Sequence, residues 1–98
     1  MTGRYVLSPR AQLDLDDIWS YTESRWGIDQ AEKYTRQLWQ HIRAIAARPT
    51  SGRACPEVRA GYHKYRSGSH FLFYRITSDG VDVVRILHER MDFERHLP

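Results

Sequence analysis

Two amphipathic helical stripes lie almost end to end between Ser8 and Pro49, and their adjacency constrains this chain more than any other feature. Ser8-Pro9 opens the first, with Ser as N-cap and Pro at the first helical position. Ala11, Leu15, Ile18, Trp19, Thr22 and Trp26 recur at helical spacing and are expected to form its buried face. Gly27 closes it, at the position where a left-handed residue ends many helices. The second helix restarts at once. Asp29-Gln30-Ala31-Glu32 reads as a capping box, with Asp29 as N-cap. Ala31, Thr35, Leu38, Ile42, Ile45 and Ala46 form its apolar face. It stops before Pro49, which also biases Arg48 away from helical angles. Two helices joined by about two residues pack as an antiparallel hairpin.

The flanking segments read as strand. Tyr5-Val6-Leu7 is a short β-prone run before the hairpin. After it come Tyr62–Arg66, a turn at Ser67-Gly68-Ser69, and His70–Thr77. Asp79-Gly80 gives a type I′ hairpin signal, followed by Val81–His88. Both later strands are apolar on two faces for part of their length. One face is expected to pack on the helices and the other to be partly exposed or covered by another segment. The charged tail, Glu89–Pro98, reads as irregular or a single helical turn. The expected fold is α+β: a short N-terminal strand, an antiparallel helical hairpin, then a three-stranded antiparallel meander. At 98 residues this is one domain, spanning 1–98.

Composition narrows the function classes. Apolar and aromatic content exclude whole-chain disorder. No run of about 18 apolar residues is present, so no membrane partner is expected. The N-terminus lacks the apolar stretch of a signal peptide. The single Cys55 cannot form an internal disulfide, and a reducing, cytoplasmic location is the default expectation. The net charge of +3 lies wholly in the second half. Residues 1–47 balance six Lys/Arg against six Asp/Glu, whereas residues 48–98 carry nine against six. An anionic partner would therefore meet the second half.

Motifs for catalysis or cofactors are sparse. Cys55, His63, His70 and His88 lie on different segments without metal-ligand spacing, so neither a metal nor another cofactor is expected. Cys55 lies in a loop with no helix N-terminus to activate it, so a Cys55–His63 nucleophile pair is not expected. Asp14, Asp16 and Asp17 read as helix-stabilising, solvated carboxylates. The remaining candidate is a basic–aromatic sheet in which Arg59, Lys64, Arg66, Arg75, Arg85 and Arg90 interleave with Tyr62, Tyr65, Phe71 and Tyr74. Such a mixture suits either nucleic-acid contact or a basic rim around a packed sheet.

One ordered set of residues is more specific than any of these signals. Asp14-Leu15-x-x-Ile18-x-x-Tyr21, Trp26-Gly27, Ala31-Glu32-x-Tyr34, Pro49-x-x-Gly52-Arg53, Gly61-Tyr62-x-Lys64, Phe73-Tyr74-Arg75 and Ile86-Leu87-His88-x-Arg90-x-Asp92 together resemble the ParE branch of the ParE/RelE toxin superfamily. The resemblance runs from Tyr5 to about Asp92. It implies the toxin of a bacterial type II toxin–antitoxin operon. The implied partner is a ParD-like antitoxin with a ribbon-helix-helix DNA-binding part and an acidic amphipathic tail. Operator DNA would be met only through that antitoxin.

The superfamily holds two activities. RelE-type toxins cleave mRNA in the ribosome with Lys and Arg side chains and a C-terminal Tyr. Those positions fall on Tyr62, Lys64, Phe71, Met91 and close to Leu97, and only Lys64 keeps the required chemistry. Loss of two cations and a proton donor removes several powers of ten in rate. The resemblance thus implies the ParE activity: a non-enzymatic poison of DNA gyrase. The ribosome-dependent ribonuclease is the alternative. Leu13, Tyr34 and Trp39 stand off the two apolar stripes and, with Arg59, Lys64 and Arg66, are the expected antitoxin contacts. Arg85, His88, Arg90, Asp92 and Arg95, at the basic end of the sheet and tail, are the expected target contacts.

Overall fold

The computed structural model describes residues 3–97. Strand β1 (Arg4–Leu7) leads into helix α1 (Pro9–Trp26) and helix α2 (Ile28–Ala47). A 3-10 turn at Pro49–Ser51 and a two-residue strand β2 (Arg53–Ala54) follow. Strands β3 (His63–Ser67), β4 (His70–Ile76) and β5 (Gly80–His88) form the meander, and α3 (Phe93–His96) is one helical turn. The α+β arrangement agrees with the sequence. Two features of the sheet were not legible: β1 joins it parallel to β5, and β2 extends it past β3, giving the order β1-β5-β4-β3-β2.

Ser8 is the pivot between β1 and α1. Its hydroxyl oxygen accepts from the Ala11 N–H at 3.0 Å, as an N-cap should, and its O–H donates to the Val84 carbonyl at 2.7 Å. Val84 is the extra residue of a β-bulge, because Phe73 pairs with Arg85 while Tyr74 pairs with Val83. The bulge leaves a carbonyl without a strand partner, and the helix cap supplies the donor.

The link between the helices is tighter than the capping box allows. Gly27, at φ 93°, ends α1 and also serves as N-cap of α2, which begins at Ile28. Asp29 therefore lies inside the first turn and makes no capping bond; its carboxylate still favours the positive end of the helix. Trp26 is also corrected. Although in phase with the buried stripe, it is 68% exposed. Helix α1 starts beside Val83 and Val84 and reaches the end of β5 by Thr22, so its last turn overhangs the sheet.

The turns differ in kind. Gly68, at φ 62°, occupies the first central position of the β3–β4 turn, which a side chain would strain. The Asp79-Gly80 signal is not a type I′ turn. The β4–β5 connection is Thr77–Ser78–Asp79, and Gly80 already belongs to β5, opposite Arg4 of β1, without positive φ.

Apolar residues pack on both faces of the sheet. Between helices and sheet lie Leu15, Leu38, Ile42, Ile45, Leu72 and Tyr74. The Tyr74 hydroxyl donates to the Pro49 carbonyl at 2.7 Å and accepts from the Gly52 N–H at 3.0 Å, fixing the 3-10 turn. On the distal face, Cys55, Tyr62, Phe73, Val84, Leu87 and Leu97 form a second cluster. The tail closes part of it, with the Phe93 ring 4.8 Å from Phe73 and 5.6 Å from Phe71.

Candidate functional site

The basic–aromatic distal face is built by strand alternation. Lys64 and Arg66 on β3 and Phe71 and Phe73 on β4 are cross-strand neighbours. The Lys64 ammonium lies 5.3 Å from the Phe71 ring centre and 5.9 Å from that of Phe93. The Arg66 guanidinium lies 4.7 Å from Phe71 and pairs with Glu89 at 3.0 Å, both side chains well exposed. Arg75 lies 5.4 Å from the Tyr62 ring. These cations rest on aromatic shelves, within the range of cation–π attraction. Arg59 clamps the tail: it donates to the carbonyls of Val58, Glu94 and Leu97.

The remaining expected antitoxin contacts occupy separate places. Leu13 is half exposed on α1. Trp39 is half-buried beside Tyr5 of β1, their ring centres 6.1 Å apart. Tyr34 is tied to the β3–β4 turn. Its hydroxyl lies 2.6 Å from His70 Nδ1 and accepts from the Ser69 N–H at 2.9 Å. Burial raises the Tyr34 pKa above its ordinary value, so the phenol stays protonated.

The expected target contacts divide more sharply. Arg85 is only 7% exposed and is not on the surface. Its Nε donates to Asp14 Oδ2 at 2.8 Å, one Nη donates to Asp14 Oδ1 at 3.0 Å, and the other donates to the His96 carbonyl at 2.8 Å. Asp14, expected to be solvated, is equally buried, and it also accepts from the Ile86 N–H at 2.9 Å. The reason is geometric. Strand β1 ends at Leu7 opposite Val83, so past that point the edge of β5 lacks a strand neighbour, and α1 supplies a carboxylate in its place. Asp16 and Asp17 are exposed, as expected. Arg90 is exposed, Asp92 and Arg95 form an exposed pair at 3.5 Å, and His88 is half-buried with Nδ1 accepting from the Arg90 N–H at 3.2 Å.

Among the described residues, no three His, Cys, Asp or Glu side chains gather closely enough to hold a metal ion. Cys55 is buried, and its thiol donates to the Tyr62 carbonyl at 3.4 Å. Burial pushes its pKa up, away from nucleophilic reactivity. His70 and His88 face each other across β4 and β5, ring centres 5.2 Å apart. Burial, reinforced by His88, holds the His70 pKa down at about 4.

The His70 shift has a testable sign. The folded state resists protonation while the unfolded chain takes up a proton near pH 6.5, so this stabilisation is present above pH 6.5 and is lost as the pH falls to about 4. The loss is expected to reach about 2–3 kcal/mol, read from urea unfolding at successive pH values. His70→Gln is expected to flatten that part of the profile; an unchanged slope would refute the assignment.

Sequence reasoning missed one surface. Tyr21, Trp26 and Ile28 are exposed around the end of the hairpin, and a cleft of about 430 Å³ opens there between Trp26, Tyr34 and the two histidines. Periodicity alone carries no signal for it, because Trp26 shares the phase of the buried stripe.

Comparison with known proteins agrees with this architecture. The family described as "ParE toxin of type II toxin-antitoxin system, parDE" matches residues 5–93. Toxin ParE1 of Mycobacterium tuberculosis (strain ATCC 25618 / H37Rv) is 56% identical over 98 residues, covering 99% of this chain and 100% of the relative. Toxin ParE1 of Caulobacter vibrioides is 47% identical over 93 residues, covering 95% of this chain and 96% of the relative. A solved structure described as the chromosomal ParDE TA system from P. aeruginosa has the same fold, with TM-score 0.77 and 16% identity over 89% of this chain and 96% of that one. The chain belongs to the ParE toxin family of type II toxin–antitoxin systems.

Proposed function

We propose that this toxin acts without catalysis, by binding DNA gyrase and stabilising its cleaved-DNA intermediate, and that a ParD-like antitoxin neutralises it. Residues 1–98 act as one toxin domain in the cytoplasm. The observation that carries the reading is the state of the positions a RelE-type ribonuclease would use. Phe71 is a stacking shelf, Met91 is apolar, and Leu97 is 4% exposed within the distal cluster. None of the three can stabilise a phosphorane or move a proton. Lys64 is the one position that favours the ribonuclease alternative, and its ammonium rests over two phenyl rings.

The antitoxin is proposed to contact Leu13, Tyr34, Trp39 and the Arg59–Lys64–Arg66 face. The target is proposed to meet His88, Arg90, Asp92 and Arg95. Arg85 supports that surface from beneath, through Asp14 and the His96 carbonyl. Operator DNA is met through the antitoxin alone. Inhibition of this kind is a population shift: the toxin binds one state of another enzyme's cycle more tightly than the rest.

Two assays separate the readings. Added to purified gyrase with supercoiled plasmid and ATP, the protein is expected to accumulate covalent gyrase–DNA adducts. Added to programmed ribosomes, it is expected to leave the mRNA intact. Cleaved mRNA with unaffected gyrase would overturn the proposal in favour of the ribonuclease.

A further inference from the structure

Three large apolar side chains stand open at the end of the helical hairpin: Tyr21, Trp26 and Ile28, each more than half exposed. Helix α1 overhangs the sheet there, and Gly27 alone separates it from α2. Their open surface is roughly 400 Å², the size at which an exposed patch marks an interaction site. Beside them opens the cleft of about 430 Å³, walled by Thr22, Tyr34, His70 and His88 and lined also by Trp26. Sites of that size accept aromatic ring systems. The charge of the patch is unlike that of the whole chain. Residues 21–30 hold one cation, Arg25, and two carboxylates, Glu23 and Asp29, in a chain of net +3. Such a balance favours neither a phosphate backbone nor an acidic peptide. Arg25 ends α1 and Asp29 begins α2. Among the described residues neither forms an ion pair, and Arg25 leans over the Tyr21 ring at 5.8 Å. A knob, a hole and an unpaired charge of each sign therefore share one patch. That is the composition of a surface complementary to itself: a two-fold rotation sets knob into hole and cation against carboxylate, each twice.

We propose that the free toxin pairs with a second copy of itself through this patch, Trp26 of each copy entering the cleft of the other and Arg25 of each meeting Asp29 of the other. Two patches of this size bury less than the about 1,600 Å² of a standard interface, so the dissociation constant is expected in the micromolar range. The pairing itself does not depend on the function proposed above, but one consequence rests on it. His88 walls the cleft and is among the proposed target contacts, so a paired toxin cannot present it. The dimer is then a stored, inactive form that dilution releases.

Sedimentation velocity of the full-length protein, free of antitoxin, is expected to show a monomer–dimer equilibrium across micromolar concentrations. Trp26→Ser is expected to weaken it about 30-fold or more. Leu13→Ser, which removes another exposed apolar side chain of α1, is expected to leave it unchanged. Arg25→Glu and Asp29→Lys each set like charges together and are expected to weaken pairing several-fold. An equimolar mixture of these two variants is expected to restore it, because an acidic patch then faces a basic one. Unchanged melting temperatures establish that the variants are folded. A wild-type protein that stays monomeric up to millimolar concentration would overturn the proposal. So would a dimer insensitive to Trp26→Ser, or a mixture no stronger than the single variants. A monomeric wild type whose Trp26→Ser variant loses the gyrase adducts would overturn it in favour of target docking at this patch. Absence of gyrase adducts, with the equilibrium and the variant pattern intact, would support the pairing and overturn only its consequence for storage.

Discussion

Asp14→Ala is expected to destabilise the protein by about 3–5 kcal/mol, a large fraction of the 5–15 kcal/mol typical of a small domain. Asp14 accepts three hydrogen bonds: two from the Arg85 guanidinium and one from the Ile86 N–H. Removing the carboxylate strands a buried cation and a buried backbone donor together. The uncompensated charge, more than the lost attraction, sets the size of the effect. A double variant separates the two contributions. Asp14→Ala combined with Arg85→Met leaves no buried charge and is expected to be markedly more stable than the sum of the single losses allows. Chemical unfolding of the two singles and the double gives the coupling, expected at about 2 kcal/mol or more. Strict additivity would show that the pair is not a unit. Arg85 also holds the His96 carbonyl at 2.8 Å, so Arg85→Met is expected to loosen α3 and weaken target binding beyond its effect on stability.

Gly80→Ala is expected to cost about 3 kcal/mol or more, for a reason unrelated to turn conformation. An added Cβ would lie 1.7 Å from the Arg4 carbonyl oxygen and 2.7 Å from the Arg4 nitrogen. Both atoms belong to the backbone of β1, which pairs with β5 at this point, so no side-chain rotation relieves the overlap. Strand β1 must retreat, and with it the parallel ladder that ends at Ser8. Gly61→Ala is the control. Gly61 has φ 82° but no atom within 4 Å of a built Cβ, so only backbone strain of about 1 kcal/mol is expected. Comparable unfolding midpoints for the two variants would refute the close-approach account. A type I′ turn at Asp79-Gly80 would have made conformational strain the dominant loss at position 80; the parallel pairing makes it steric.

Local signals were largely legible. Ser8, Gly27 and Pro49 mark helix boundaries through backbone rules that act within a few residues, and the stripe from Ala31 to Ala46 lies at the core because one face of a helix next to a sheet must be dry. The meander followed from alternation and from Gly68. The errors lie where a distant segment decides. Trp26 keeps the phase of the buried stripe but stands beyond the end of the sheet. Asp14 resembles Asp16 and Asp17 in sequence, but α1 places it where β5 has no neighbour. Arg85 looked like a surface cation until that carboxylate was placed against it.

The amino-acid sequence by itself determined the family, the helical hairpin and the meander. These depend on residue type and on contacts short in sequence. Only the tertiary structure decided the parallel seating of β1 on β5. From that follow the buried Asp14–Arg85 pair and the constraint at Gly80. Each joins residues more than sixty positions apart, and a pairing of that kind is set by which edge remains unpaired after the local elements have formed.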